Sequence, residues 1–236
     1  MKLKLQVHLP ETLTKWFPEA IWRMDETEKS CYLTFDDGPI PEITPWVLDL
    51  LAQYNIKATF FVVGENVHKY PEIYHRIIEE GHAVGNHTYN HLQGLKTPNK
   101  EFYQNIEKTD RLIGSNLFRP PHGLVKRSQY RYLKQKYKLI MWDVISCDYN
   151  RNISKMEVLR NVLDFVRPGS IITFHDSIKS EENLKYALPL AIQALQGEGY
   201  EFKKIEFPKI RPLYIKPNIE IVERIREKIR RISKGA

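Results

Sequence analysis

Cysteine is scarce in this sequence, and long apolar runs are absent from it. The 236 residues include two cysteines, Cys31 and Cys147, which cannot build the disulfide framework of small secreted domains. We place them at opposite ends of the predicted sheet, so we expect free thiols in a reducing compartment. No stretch approaches the roughly 20 apolar residues of a membrane span. Residues 1–11 also lack the apolar core of about 7 to 15 residues of a signal peptide, so we expect a cytoplasmic protein.

The excess of positive charge lies at one end of the chain. The formal net charge is +7, and residues 209–236 carry nine Lys and Arg against three Glu. Residues 1–208 are therefore nearly neutral, so the basic pI says little about the substrate and we expect no nucleic-acid partner. Apolar residues recur at helical spacing within 220–232, which predicts a basic helix docked on the body. Contact of this helix with an anionic membrane surface is the less favoured alternative.

Apolar runs that are typical of strands alternate with segments that are typical of helices. The predicted strands are 31–35, 58–63, 83–85, 117–118, 138–144, 170–174 and 201–205. The predicted helices are 41–54, 71–80, 99–113, 126–136, 154–166 and 182–196. Repeated strand–helix units predict a parallel sheet, and about seven of them predict an α/β barrel, closed or nearly closed. We expect an N-terminal extension at 1–28, the catalytic barrel at 29–208 and a basic C-terminal segment at 209–236.

Polar residues follow most of the predicted strands. In barrels of parallel strands, the site is built where strands end and the loops to the helices begin. One polar residue at such a place means little, but a ring of them is hard to obtain from solvated loops alone. The members of this ring are Asp36, Asp37, His87, His91, Arg119, Asp148, His175 and Asp176.

Two adjacent carboxylates, Asp36 and Asp37, end the first strand. Successive side chains of a strand point to opposite faces, so the two acids can do different work, one binding a metal and the other acting as a base. The alternative is a solvated turn, because Asp-Asp-Gly-Pro is also good turn chemistry.

Two histidines four residues apart, His87 and His91, form a possible metal pair. Even one helical turn would aim both imidazoles at the same point. One aspartate would complete two nitrogens and an oxygen with positions left for water, which is typical of catalytic rather than structural sites. Zn²⁺ is the first choice, with Co²⁺, Ni²⁺ or Mn²⁺ as alternatives. Such a metal activates water, a free carboxylate takes its proton, and His175 tuned by Asp148 could act as the acid.

Five segments together resemble the motifs of polysaccharide deacetylases of the NodB-homology type, carbohydrate esterase family 4. They occur in the family's order and spacing and lie within about residues 29–205. The resemblance implies a distorted, TIM-like (β/α)7 barrel that removes acetyl groups from amino-sugar polymers or from acetylated xylan. The five segments are 34–38, 87–91, 119–123, 142–149 and 173–175.

The resemblance assigns a role to each matched residue of the reaction centre. It implies that Asp36 is the general base and that Asp37, His87 and His91 are the metal ligands. It also implies three supporting roles. Arg119 holds the catalytic aspartate, Asp148 orients the catalytic histidine, and His175 is the general acid.

Four further residues are expected at the substrate by the same resemblance: Pro121, His122, Tyr149 and Thr173. His122 stands where the family usually has tyrosine, but the family uses a backbone N–H at this position to bind the oxyanion. Tyr149 replaces the usual tryptophan, and Thr173 replaces a leucine that lines the acetyl-methyl pocket. Ile145 stands where many members have a further acid.

The remaining histidines and aromatic residues have simpler interpretations. We expect His8, His68, His75 and His82 to be surface or packed residues rather than ligands. Among the aromatic residues, we place only Trp142 and Tyr149 near a sugar. The aromatic residues of 1–28, Trp22 among them, are expected to pack the extension on the barrel.

The function favoured by the sequence is metal-dependent deacetylation of an N-acetylated sugar polymer or oligosaccharide, similar to peptidoglycan or chitin. The partner is then an acetylated carbohydrate, and the sequence does not determine the oligomeric state. The alternatives are an O-acetyl xylan esterase and a hydrolase of a non-carbohydrate C–N bond on the same barrel. A non-catalytic carbohydrate-binding protein is less favoured, because a binder does not need a base, an acid and three metal ligands.

Overall fold

The computed structural model describes residues 7–8, 14–24 and 27–208. The basic C-terminal segment 209–236, with the helix predicted at 220–232, lies outside the described residues. Eight strands have bounds within these ranges: β1 Ser30–Asp36, β2 Thr59–Val62, β3 Ala83–Asn86, β4 Leu117–Phe118, β5 Lys138–Leu139, β6 Val144–Ile145, β7 Ile171–His175 and β8 Glu201–Phe202. Seven α-helices lie wholly within them: α1 Thr44–Gln53, α2 Gly64–Lys69, α3 Pro71–Glu79, α4 Asn99–Ile113, α5 Arg127–Leu133, α6 Lys155–Leu163 and α7 Glu181–Gly197. Two short 3-10 helices are Gly94–Lys96 and Pro121–Gly123.

All the paired strands are parallel, and they form one sheet with the order β5-β4-β3-β2-β1-β7-β6, while β8 pairs with β1. The helices lie between the strands in sequence, as parallel crossovers require. The predicted α/β distorted barrel is therefore confirmed. Helix α2 was not predicted from the sequence; it begins at Gly64, directly after the strand predicted at 58–63.

The predicted fifth strand, 138–144, is wrong as a single element. Its first part, β5, pairs with β4, and its last part, β6, pairs with β7 at the other end of the sheet order. Ile140 N–H still donates to Phe118 O at 2.9 Å, and Asp143 N–H donates to Ile171 O at 3.0 Å. The segment 138–145 therefore joins the two ends of the sheet order by changing its partner from β4 to β7. This change of partner within one segment is what distorts the barrel.

The central strand β1 is buried along its whole length, which explains why its sequence is apolar without alternation. Phe35 stacks between two neighbours on the adjacent strands, with ring centroids 5.0 Å from Phe60 and 6.4 Å from Phe174. Helix α6 begins after Ser154, the first residue of the helix predicted at 154–166, and the Ser154 hydroxyl caps it by accepting the Glu157 N–H at 3.1 Å. This rigid core holds the carboxyl end of β1 in place.

Part of the N-terminal extension is hydrogen-bonded to the barrel. Ile21 N–H donates to Leu139 O at 2.8 Å, and Met141 N–H donates to Ile21 O at 2.8 Å. The extension therefore lies along β5 in the manner of an additional strand. Among the described residues, no helix has the length and apolar character needed to cross a bilayer. Cys31 and Cys147 are both buried thiols, and the two do not form a disulfide with each other.

Candidate active site

A cleft of about 720 Å³ opens where the strands of the sheet end. Its volume is in the range of small-molecule sites. Asp36 and His175 face each other in register as the last residues of β1 and β7. The polar lining groups are Asp36, Asp37, His87, His91, His122, His175, Ser177 and Lys179, and the apolar walls include Trp22, Leu124, Met141, Trp142, Ile145 and Tyr149.

Asp37, His87 and His91 come together at the cleft. One ligand atom from each lies within 4.8 Å of the others. Asp37 Oδ1 is 3.3 Å from His91 Nε2 and 3.8 Å from His87 Nε2. The histidines lie in a loop after β3 and converge there without a helical turn. Positive φ angles of 67° at Thr88 and 57° at His91 turn this loop back on itself.

The protonation of these groups suits a metal. His87 Nδ1 donates to the Arg119 carbonyl at 2.8 Å, which leaves Nε2 free as a ligand. Burial lowers the pKa of His87 to about 4, so its imidazole is neutral at physiological pH. Burial alone would raise the pKa of Asp37, but the surrounding histidines, first His175 and then His87 and His91, lower it. Asp37 is therefore an anion beside the neutral imidazole of His87.

The geometry passes a further test for a cation. Asp37 Oδ1 is buried and has no hydrogen-bond partner among the described residues. A buried polar atom without a partner is costly, and a bound cation would satisfy it. Two imidazole nitrogens and one carboxylate oxygen are a donor set that Zn²⁺ accepts with a position left open. The three residues therefore fit a divalent metal of this kind.

Asp36 is held by a buried arginine. Arg119 is fully buried, and its Nη1 donates to Asp36 Oδ1 at 2.6 Å and to Thr34 Oγ1 at 2.8 Å. Its other donors are satisfied by two backbone carbonyls, Ile140 O at 3.2 Å and Met141 O at 2.8 Å. The guanidinium also lies 4.0 Å from the centre of the Phe61 ring. Arg119 thus fixes the position of Asp36 without entering the cleft.

His175 is held by a buried carboxylate. Its Nδ1 donates to Asp148 Oδ1 at 2.7 Å, and its backbone N–H donates to Asp148 Oδ2 at 2.8 Å. Burial alone would lower the pKa of His175, but Asp148, with Asp37 and Asp36 further away, raises it to about 9. These carboxylates favour the protonated imidazole. Asp148 is itself held in place by Asn183, whose Nδ2 donates to the Asp148 backbone carbonyl at 2.9 Å.

The four expected substrate residues divide into two pairs. His122 and Tyr149 line the cleft, and the Tyr149 ring lies edge-on to His175 at 5.0 Å. Pro121 and Thr173 are buried and do not belong to the lining that the described residues form. Thr173 instead contacts Thr34, with 3.1 Å between the two hydroxyl oxygens. It shares a face with His175 but lies two residues deeper in the barrel, beneath the floor of the cleft.

Two groups of cleft residues were not predicted from the sequence. Trp22, assigned to the extension, lies in the wall with its ring 6.3 Å from that of Trp142. Ser177 and Lys179, after β7, complete the other rim. Their only sequence signal is position, since they follow the motif that ends at His175. The histidines expected to be structural include His82, which is buried and whose Nδ1 accepts the Ala58 N–H at 3.1 Å.

Comparison with known proteins identifies the family. Residues 23–139 match the sequence model of the family described as polysaccharide deacetylase. The crystal structure of the Bc1960 peptidoglycan N-acetylglucosamine deacetylase has a TM-score of 0.76 and 34% sequence identity, and the alignment covers 83% of this chain and 94% of that one. The chain belongs to the polysaccharide deacetylase family. The match to the family model includes the Asp36, His87 and Arg119 motifs and ends before Asp148 and His175.

The relatives of this chain differ in length, and they include a pseudoenzyme. A peptidoglycan-N-acetylglucosamine deacetylase of Bacillus cereus is 40% identical over 152 residues, which are 61% of this chain and 55% of that protein. The chain spans 39% of the length of three relatives from Listeria monocytogenes. A family 4 pseudoenzyme from Bacillus anthracis shares the fold at 27% identity and a TM-score of 0.71, covering 80% of this chain and 68% of that one. Family membership alone therefore does not establish activity.

Proposed function

We propose that this protein is a metal-dependent deacetylase that hydrolyses the acetamido groups of an N-acetylated amino-sugar polymer or oligosaccharide, of the peptidoglycan or chitin type. The observation that carries the proposal is the presence of two differently held catalytic groups beside a three-residue metal site. Asp36 pairs with Arg119, and His175 pairs with Asp148. The deacetylases among the relatives support the substrate class. We assign the catalytic unit to 29–208, with the extension residue Trp22 contributing to its cleft.

Asp37, His87 and His91 would hold one divalent metal ion, with Zn²⁺ preferred over Co²⁺, Ni²⁺ and Mn²⁺. Bound there, the ion supplies Lewis acidity, which polarises the acetyl carbonyl and lowers the pKa of water. The protein's part is to keep the three donors converged and correctly protonated. The hydrogen bond from His87 Nδ1 to the Arg119 carbonyl does this for His87.

Asp36 acts as the general base in this proposal. It takes a proton from the water whose oxygen forms a bond to the acetyl carbon. Asp36 can stay close to the cleft as an anion because Arg119 supplies a buried positive charge at 2.6 Å. The oxyanion that develops on the acetyl oxygen would accept the backbone N–H of His122, as the family resemblance implies.

His175 acts as the general acid. When the bond between the acetyl carbon and nitrogen breaks, the nitrogen takes the electron pair and receives the proton from His175. The products are acetate and a free amino group on the sugar. Asp148 orients the imidazole through Nδ1, so the proton is delivered from Nε2. The base and the acid are the end residues of adjacent strands, which explains how both reach one acetamido group.

A substrate panel tests the proposal and separates it from its alternatives. Acetate release is measured from chito-oligosaccharides, peptidoglycan fragments, acetylated xylan and small non-carbohydrate acetamides, with Zn²⁺ added. We expect release from the N-acetylated sugars, and release that is slower by about 10² to 10⁴ from the Asp36→Asn variant. Preferred release from acetylated xylan would indicate an O-acetyl esterase. Binding of the sugars without acetate release would contradict the proposal and indicate a non-catalytic protein.

A further inference from the structure

Asp176 is a buried acid that the proposed mechanism does not use. It directly follows His175, and its backbone N–H donates to Asp36 O at 3.1 Å, which continues the pairing of β1 with β7. The side chain is completely buried. Its position is therefore fixed relative to both catalytic strands, while its carboxylate faces the loop that carries Asp37.

The Asp176 carboxylate binds this loop at two points. Oδ1 accepts the backbone N–H of Gly38 at 3.0 Å, and Oδ2 accepts the hydroxyl of Thr44 at 2.6 Å. The same Thr44 oxygen accepts the backbone N–H of Ile40 at 2.9 Å. Both ends of the segment that follows Asp37 are thus attached, directly or through Thr44, to one side chain.

The contact with Gly38 fixes a particular peptide plane. The peptide bond between Asp37 and Gly38 has its N–H held by Asp176 and its carbonyl oxygen held by Asn66 Nδ2 at 2.8 Å. The orientation of this plane fixes ψ of Asp37, and φ of the same residue is 88°, a value that side-chain-bearing residues rarely adopt. A residue in such a conformation persists only where its surroundings enforce it. The clamp on this peptide plane is therefore placed where it decides the direction of the Asp37 side chain.

Two further observations indicate that the contact is specific. A Cβ added to Gly38 would lie 2.0 Å from Asp176 Oδ2, so only glycine lets the carboxylate approach this backbone. The partners of Asp176 are a backbone N–H and a hydroxyl instead of a cation, and burial raises its pKa to about 8. Keeping an acid in such a place is costly. If the loop needed only packing, a neutral side chain such as leucine or asparagine would avoid this cost.

We propose that Asp176 is a positioning residue for the metal site, because it clamps the Asp37–Gly38 peptide and so aims the Asp37 carboxylate at His87 and His91. This inference rests on the proposed metal site and goes beyond it by assigning a residue that touches neither the metal ligands' side chains nor the substrate. It also explains why a glycine follows Asp36 and Asp37: Gly38 leaves room for the Asp176 carboxylate to approach the backbone, and turn formation is not needed as the reason.

Zinc affinity tests the inference without any substrate. The dissociation constant for Zn²⁺ is measured on the folded protein with a competing chelator, for the parent and for Asp176→Ala and Asp176→Asn. We expect Asp176→Ala to bind Zn²⁺ about 10- to 100-fold more weakly, the usual effect of losing a partner that orients a ligand. Asp176→Asn keeps one acceptor for Gly38 and should lose less. The visible spectrum of bound Co²⁺ should change in Asp176→Ala, because the geometry of the Asp37 oxygen changes.

Asp143→Ala is the matched control. Asp143 is also a buried carboxylate, but it accepts Arg167 Nη2 at 2.7 Å and the Ser170 hydroxyl at 2.7 Å at the start of β7, far along the strand from the metal site. It should lower stability and leave the Zn²⁺ dissociation constant unchanged. If Asp176→Ala does not fold, Thr44→Val removes one of the two contacts at constant volume and should weaken Zn²⁺ binding in the same direction.

Two results would overturn the inference. Parent-like Zn²⁺ affinity in folded Asp176→Ala, or in Thr44→Val if the first variant cannot be made, would show that the clamp is not needed. An equal loss in Asp143→Ala would show that general destabilisation explains the effect. A parent protein that binds no Zn²⁺ would instead refute the proposed metal site itself, so the two failures are distinguishable.

Discussion

Replacement of Arg119 by methionine should destabilise the fold as well as stop the reaction. The guanidinium donates to Asp36, Thr34 and two backbone carbonyls from a fully buried position. Methionine fills much of the same space but donates nothing. Asp36 would then be a buried anion without a counter-charge, which is the costliest consequence of the change.

The expected loss can be estimated from the pair. Removing one partner of a buried ion pair costs about 3–5 kcal/mol of unfolding free energy, whereas removing both can be nearly neutral. A domain of ordinary stability, about 5–15 kcal/mol, would remain folded after this loss. The double variant Arg119→Met/Asp36→Asn removes the charge that the single variant leaves behind. We expect it to recover about 2–3 kcal/mol, the upper range of coupling between residues in contact.

The parent, Arg119→Met, Asp36→Asn and the double variant form a double-mutant cycle, and urea unfolding followed by circular dichroism measures the stability of all four proteins. Arg119→Met should show the lowest midpoint, and the double variant should be more stable than Arg119→Met while remaining inactive. Additive effects, with a coupling below about 0.5 kcal/mol, would refute the assignment of Arg119 as the counter-charge of Asp36. Substitution of Arg119 by lysine should rescue little, because a single ammonium cannot reproduce the planar set of donors.

Three further predictions concern pH and substrate binding. Activity should fall as pH rises through the pKa of His175. This pKa should lie at or below about 9, because a bound cation opposes protonation of the imidazole. In profiles of rate against pH, Asp148→Asn should move this alkaline limb to lower pH. Burial lowers the pKa of His82 to about 4 in the folded protein, so the folded state is progressively destabilised relative to the unfolded state as pH falls below 6.5. Between pH 7 and 5, the unfolding free energy of the parent, measured with urea, should fall by about 2 kcal/mol more than that of His82→Gln. Trp22→Ala should raise the KM for oligosaccharides with little change in kcat. Trp16 is 76% exposed and outside the cleft lining, so Trp16→Ala should change neither constant. Equal effects of the two variants on KM would contradict the role of Trp22.

The features that the sequence predicted well are local ones. An apolar run followed at once by a polar residue marks the carboxyl end of a buried strand, and this pattern located Asp36, His87, Arg119 and His175 at one end of the sheet. The strand–helix alternation was sufficient to predict the barrel. Both inferences use information that lies within a few residues of each position.

The features that the sequence did not predict depend on non-local contacts. The segment 138–144 was predicted as one strand because most of its residues are apolar, yet its two halves pair with β4 and β7. Thr173 belongs to a motif that implied contact with the substrate, but it lies too deep in the barrel to line the cleft. Trp22 reaches the cleft because Ile21 hydrogen-bonds to β5, a pairing between residues more than a hundred positions apart. The clamp at Asp176 is likewise visible only when the loop after Asp37 is folded against β7.

The division of labour between the two adjacent aspartates is the most direct test of the central claim. Zinc content by elemental analysis and acetate release from an N-acetylated oligosaccharide are measured on the same preparations of Asp36→Asn and Asp37→Asn. We expect Asp36→Asn to keep one Zn²⁺ per chain while kcat falls by about 10² to 10⁴, the scale of general-base catalysis. Asp37→Asn should lose both metal and activity. If Asp36→Asn lost the metal while Asp37→Asn stayed active, the assignment of base and ligand, and with it the proposed mechanism, would be wrong.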